Sequence, residues 1–140
     1  MKMLTHKQSK IVDTLFMLAI DHAPTSNAKI VAAVAYKNQI ISYGFNQLKS
    51  HPFIIPYQKN EDAIYLHAET DAIKNALKRI SVDQLSKCDL FIIRAKQKSS
   101  TSNKIVYGIA KPCDGCAKCI STFGLRKVYY STNEQEIKCM

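Results

Sequence analysis

The sequence predicts an α/β layered domain on a mixed sheet, and three observations predict it. Helix-patterned and strand-patterned segments alternate along the chain. Two adjacent strand-patterned segments flank Lys37-Asn38 closely enough to form a hairpin. The 140 residues, 46% hydrophobic and 22% charged, are enough for one hydrophobic core without staples and show no composition shift that would mark a boundary. Residues 1–140 are therefore read as a single domain without internal repeats.

Each element has its own signal. From Thr5 to Asp21, Ile11, Leu15, Leu18 and Ala19 recur at helical spacing with polar residues between them. The apolar run Ile11–Ile20 follows Lys2, Lys7 and Lys10 and so has the outline of a short signal peptide. Asp13 interrupts it, Ala23-Pro24 is a poor cleavage site, and it is too short to span a bilayer. An amphipathic first helix is the expectation. The segment 22–27 is a breaker. Lys29–Tyr36 is a buried strand, Lys37-Asn38 a tight turn and Gln39–Tyr43 the paired strand. Gly44–Asn60 is expected as a long loop, and a helix is expected from near Asp62 to Arg79, with Ala72, Ile73, Ala76, Leu77 and Ile80 as its core stripe. Cys88–Ala95 is a third strand, Lys96–Asn103 a polar tip and Lys104–Ile109 the strand returning from it. Cys113–Phe123 is a short helix that Gly124 can cap, and Lys127–Ser131 is a further strand. Thr132–Met140 carries no decisive pattern.

The charge balance, 20 Lys+Arg against 11 Asp+Glu for a net +9, favours anionic partners such as nucleotides, nucleic acids or acidic membranes. The lysines are spread along the chain, so a basic surface that only aids solubility explains them equally well. The five cysteines are an odd number without a secretory framework, which fits a reducing cytoplasm.

Two short motifs carry chemistry: His67-Ala68-Glu69, and Pro112-Cys113-Asp114-Gly115-Cys116. Alone, the histidine reads as an ordinary packed residue and the C-x-x-C as a redox or structural zinc pair. In this order, each near a helix start, they form the H-x-E then P-C-x-x-C signature of zinc deaminases. Cys113 and Cys116, three residues apart on a first helical turn, share one face. Pro112 suits the entry to a helix, and the helix start and a bound metal both stabilise thiolates. With His67 as a third ligand, zinc keeps one position open for water, which marks a catalytic site. Zinc lowers the pKa of water to about 7, and Glu69 is placed in sequence to move the proton.

The sequence resembles the cytidine/deoxycytidylate deaminase superfamily over roughly Ile30 to Tyr130. Beyond the two motifs, Cys116-Ala117-Lys118, Gly124 and Lys127-Val128-Tyr129-Tyr130 resemble the helix–strand continuation of the deoxycytidylate deaminase branch. Gly44-Phe45-Asn46 resembles the Gly-aromatic-Asn before that branch's long loop. The resemblance implies a three-layer α/β/α cytidine deaminase-like fold with a central mixed sheet of about five strands. It implies zinc on His67, Cys113 and Cys116, with Glu69 as general acid/base and not a ligand. It places the Ala68 backbone near the base carbonyl, Asn46 at the sugar or base, and Tyr130 and the loop after it at the substrate. The reaction implied is hydrolytic attack at the amino-bearing carbon, C4 for cytosine, leaving a uracil-type base and ammonia, with deoxycytidylate as the first substrate. The resemblance further implies a homo-oligomer, and no membrane partner is expected because the apolar run is too short to span one. The resemblance departs at the polar insertion Lys96–Asn103 and in the absence of a late helix after Lys127–Ser131. Two other functions fit the same residues: a cytosine deaminase of single-stranded DNA or RNA, and a non-catalytic zinc-stabilised nucleotide-binding module. Glu69 argues against the second of these.

Other residues have plain readings. Cys119 lies about 120° round the helix from Cys113 and is expected in the core. Cys88 and Cys139 read as ordinary thiols. His51 reads as a structural or exposed histidine, and Phe53 and Tyr57 as anchors of their loop. Arg94, Arg126 and Lys127 can bind phosphate, but solvated charge is the default for each.

Overall fold

The hairpin around Lys37-Asn38 starts the sheet. Strand β1 (Lys29–Tyr36) pairs antiparallel with β2 (Gln39–Phe45). Lys37 and Asn38 both take positive φ, 49° and 64°, as in a type I′ turn, whose twist matches that of the flanking strands. The computed structural model describes residues 4–21, 29–46, 52–57 and 67–140.

On its other side β1 pairs antiparallel with β3 (Asp89–Gln97). Strand β3 then has two successive neighbours on its far edge. Leu90–Ile92 pair parallel with β5 (Val128–Ser131), and Arg94–Gln97 pair antiparallel with β4 (Ile105–Gly108). Ser131 joins the two. Its Oγ accepts from the Arg94 amide at 3.0 Å and donates to the Gly108 carbonyl at 2.7 Å. The parallel pair needs a crossover connection, and β4 and helix α4 (Asp114–Phe123) lie within it. Strand β6 (Ile137–Cys139) pairs antiparallel with β5, so the sheet described has six strands in the order β2-β1-β3-β5-β6, with β4 beside β3. About five were expected; the sixth comes from the segment that carried no decisive pattern.

Alternation along the strands divides the core. Helix α1 (His6–Asp21) buries Ile11, Val12, Leu15 and Ala19 against Val31, Ala33, Phe91, Ile93 and Tyr129. The Phe91 and Tyr129 rings stack there at 4.7 Å. Ala32, Val34, Leu90, Ile92 and Tyr130 face the opposite way, against helices α2 (Ala68–Ala76), α3 (Val82–Leu85) and α4. The result is three layers, α/β/α, with a mixed sheet in the middle, as expected.

Several boundaries differ from the expectation. His67 is extended (φ −81°, ψ 160°) and is the N-cap of α2, so that helix starts at Ala68 rather than near Asp62. It ends at Ala76, and residues 77–79 continue only as turns. Gly44 and Phe45 belong to β2, not to a loop, and Pro52–Tyr57 form a 3-10 helix. His51 lies outside the described residues. Helix α3 was not expected. It is set by a capping box in which the Ser81 hydroxyl accepts from the Gln84 amide and the Gln84 side chain accepts from the Ser81 amide. Gly124 caps α4 in the left-handed conformation (φ 69°), as its position suggests.

Candidate active site

Helix α2 is tied to the end of β2 by polar contacts. The Ser42 hydroxyl donates to the Ala72 carbonyl at 2.8 Å, and Asn75 Nδ2 donates to the Tyr43 carbonyl at 2.9 Å. The Phe45 amide donates to Asp71 Oδ2 at 3.0 Å, and Lys74 pairs with Asp71 at 3.3 Å. Gly44 permits the close approach. A Cβ there would lie 2.1 Å from the Ala68 carbonyl oxygen and 2.2 Å from the Ala72 nitrogen. These contacts hold the start of α2, and with it His67 and Glu69, over one end of the sheet.

Helix α4 brings the second motif to the same place. Cys113 is its N-cap and Cys116 sits in its first turn. Neither His67 nor Cys113 uses its side chain to cap its own helix. Instead His67 Nδ1 lies 3.3 Å from Cys116 Sγ and 3.6 Å from Cys113 Sγ, and the three donor atoms are all within 4.8 Å of one another. A tetrahedral zinc with ordinary Zn–N and Zn–S bonds separates its ligand atoms by about 3.5–3.8 Å. The donor set therefore has the chemistry and nearly the spacing that zinc requires. Cys116 is 2% exposed, whereas His67 and Cys113 face solvent, so the group opens to one side.

The electrostatics fit a cation. Hydrogen bonds from Cys116 and His67 hold the Cys113 thiol at about 3, far below its ordinary value. Sharing with that thiolate, then burial, pushes the Cys116 thiol up. The hydrogen bond to Cys113 raises His67 despite partial burial. Glu69 is 6% exposed, and burial raises its carboxyl. It follows His67 by two residues in the first turn of α2, and the charge of His67 and the Cys116 thiol both partly offset that rise. Two thiols, an imidazole and a buried carboxyl are thus crowded where a dication would relieve the cost of their negative forms.

The remaining candidates are placed as follows. Ala68 is buried as the first residue of α2, its carbonyl against Gly44. Asn46 Oδ1 accepts from the Ile30 amide at 3.2 Å, which ties the end of β2 to β1. Tyr130 packs in the core under α2 and α4, and the chain after it turns into β6. Cys119 is fully buried in that core, outside the donor set, and burial pushes its thiol up to about 12. Phe53 stacks on Phe123 of α4 at 5.9 Å and Tyr57 packs beside both, so these aromatics anchor their segment. Arg126 is exposed, as expected of a surface charge, but its fork is taken: it grips Asp89 through two 2.9 Å hydrogen bonds. Arg94 is not fully solvated, because its Nε is buried without a partner. Neither environment has a signal in the one-dimensional pattern; both depend on strand register.

The sequence matches the family described as "Cytidine and deoxycytidylate deaminase zinc-binding region" over residues 5–132. The chain belongs to that family. Zinc is accordingly its cofactor class, and His67, Cys113 and Cys116 form the group that can hold it. The fold of this deaminase-family chain is shared with the dCMP deaminase of cyanophage S-TIM5. In the apo form, the two are 20% identical, with a TM-score of 0.61, over 93% of this chain and 86% of the phage protein. In the complex with dCMP and dUMP, the figures are 20% and 0.61 over 94% and 85%. No curated protein matches the chain. Among the described residues, no helix is long and apolar enough to cross a membrane.

Proposed function

We propose that the chain is a zinc-dependent hydrolase that deaminates a cytosine nucleotide, deoxycytidylate first, to the uracil nucleotide with release of ammonia. The observation that carries this reading is a buried carboxyl, Glu69, in the first helical turn after His67, beside a His-Cys-Cys donor set that is open on one side. His67, Cys113 and Cys116 would hold the zinc, which would supply an acidified water at neutral pH. Glu69 is the proton carrier. Burial keeps its proton affinity high enough for the Glu69 carboxyl to carry a proton to the ring nitrogen and then to the leaving amine. Cys116, beneath the site, holds its metal-binding sulfur away from water. The Ala68 backbone, Asn46 and Tyr130 are the proposed substrate contacts, supported by their common side of the sheet.

The match over residues 5–132 supports one deaminase domain for the whole chain. Cys88, Cys119 and Cys139, the cysteines outside the donor set, remain as free thiols and support a reducing, cytoplasmic location. A homo-oligomer belongs to the same reading. Strand β2 ends the sheet order with Tyr43 37% exposed, and an edge strand is a ready pairing surface.

A second reading, deamination of single-stranded DNA or RNA, is favoured by one feature. From Leu90 to Cys113 the chain carries Arg94, Lys96, Lys98, Lys104 and Lys111 and no carboxylate. One experiment separates the readings: ammonia release by zinc-loaded protein from cytidine, deoxycytidine, their mono- and triphosphates, and single-stranded oligonucleotides. Turnover of dCMP is the expected result. Turnover of oligonucleotides alone moves the substrate to nucleic acid, and silence across the panel rejects both in favour of a nucleotide-binding module.

A further inference from the structure

Arg94 occupies a position that an ordinary surface charge does not. It lies on β3, two residues beyond Ile92 and on the same face, the face covered by α2 and α4. Register places it in a row across the sheet. Its neighbours there are Ile30, whose amide binds the Asn46 side chain, and Gly108. The adjoining row on that face is Gly44, Ala32, Ile92 and Tyr130, and Gly44 lies directly under Ala68. Two residues along a strand cover about 7 Å and two strand spacings about 10 Å, so Arg94 stands one row outward from Gly44 and two strands across from it, within the span of a nucleotide and a long arginine stem. Gly108 is also five residues before Cys113.

The side chain is held down, and its charge is not answered. A Cβ on Gly108 would lie 2.8 Å from Arg94 Cδ and 3.2 Å from Nε, so the missing side chain makes room for the arginine stem. Arg94 Nε is buried with no hydrogen-bond partner, and no ion pair reaches its guanidinium among the described residues. Arg126 shows the contrast, since its fork is filled by Asp89. A buried, unpaired donor on a cation is costly, and a fold retains it where a ligand completes it. The guanidinium fork matches the two oxygens of a phosphate.

We propose that Arg94 binds the phosphate of the substrate and so determines that a phosphorylated cytosine compound is preferred over the nucleoside. This rests on the deaminase reading above and adds a specificity residue to it. A nucleotide's sugar separates its phosphate from its base. With the base at Glu69 and the donor set, the phosphate is directed to the outer row of the same face, where Arg94 stands. The phosphate can belong to a free nucleotide or to a nucleic-acid backbone.

The test compares wild type, Arg94→Lys and Arg94→Ala in steady-state turnover of dCMP, deoxycytidine and an oligonucleotide, and in calorimetric binding of dUMP. Loss of a charged hydrogen-bond pair corresponds to about 10- to 100-fold in affinity. Arg94→Ala is therefore expected to raise KM for dCMP and weaken dUMP binding by that factor, leaving deoxycytidine turnover and bound zinc unchanged. Arg94→Lys is expected to fall between. If the oligonucleotide is the substrate instead, the same loss appears there and assigns the phosphate to the strand. Equal loss on dCMP and deoxycytidine, or no loss on either, overturns the proposal. So does a wild-type enzyme that turns over deoxycytidine as well as dCMP, an outcome that leaves the deaminase reading standing. Should Arg94→Ala fail to fold, inorganic phosphate decides in the wild type. It must inhibit dCMP turnover competitively while leaving deoxycytidine turnover unchanged, and failure to compete with dCMP overturns the assignment.

Discussion

The two faces of the sheet are made from the same strands and packed to different ends. On the α1 side, Phe91, Ile93 and Tyr129 meet Ile11, Val12 and Leu15 in an apolar layer. On the other side, Ala32, Ala68, Ala72 and Ala76 let α2 come close, and the polar residues Glu69, Thr70 and Asp71 are buried within that helix. Both interfaces mix large and small side chains, but only the second admits a helix whose first turn carries buried polar groups and chemistry. The α1 face should therefore be a store of stability, while the start of α2 uses stability to hold groups that would rather be solvated.

The sharpest way to break that comparison is Glu69→Ala. Removing a general acid/base costs about 10²- to 10⁴-fold in rate. We expect kcat for the preferred nucleotide to fall in that range, with zinc content unchanged by elemental analysis. Because a buried carboxyl with unfavourable desolvation is removed, thermal stability should hold or rise. Retention of the full rate would sink the proposed proton carrier.

The reciprocal change is Leu15→Ala in α1. Leu15 is fully buried, and deleting such a side chain costs about 2–5 kcal/mol. Denaturant unfolding should show that loss, while kcat/KM measured well below the melting point stays near wild type. A comparable loss of activity in the folded enzyme would mean that the two faces are not separable.

The same contrast explains what was readable in one dimension. Helix α1 was legible because its apolar residues repeat at helical spacing on a single buried stripe. The hairpin was legible from its turn, and the donor set from the residue types and spacing around His67 and Cys113. The start of α2 was not, because Ala72, Ile73 and Ala76 show where the helix packs but not that His67 is its extended cap. Strand β6 was not, because three residues have no period and gain their structure only by pairing with β5. The state of Arg94 was not, because it depends on Gly108 falling opposite in the register of β4.

Ser131 tests the joint between the two regions. Its hydroxyl, fully buried, satisfies both the Arg94 amide and the Gly108 carbonyl where β3 changes partners. Ser131→Ala leaves both without that partner, at a cost of about 1–3 kcal/mol for each buried group. Unfolding measurements should show a loss of that order. Because the joint also positions Arg94, discrimination between dCMP and deoxycytidine should weaken even in folded protein. Stability lost with discrimination intact would confine Ser131 to a structural role.

The smallest expected effect comes from Ser81→Ala, and it refines the comparison most. Helix α3 lies on the same side of the sheet as the donor set, yet its only buried residue is Leu85, and Ser81 contributes through its capping box alone. Loss of such a cap costs about 1 kcal/mol. The variant should lose about that much in denaturant unfolding and nothing in turnover, zinc content or nucleotide preference. Function would then belong to the sheet end where α2 and α4 begin, rather than to the whole face those helices cover. A change in nucleotide preference on removing a cap this small would show instead that α3 helps set the position of α4 from its C-terminal end, through the Arg126 amide bonded to the Cys88 carbonyl just beyond the Gly124 cap.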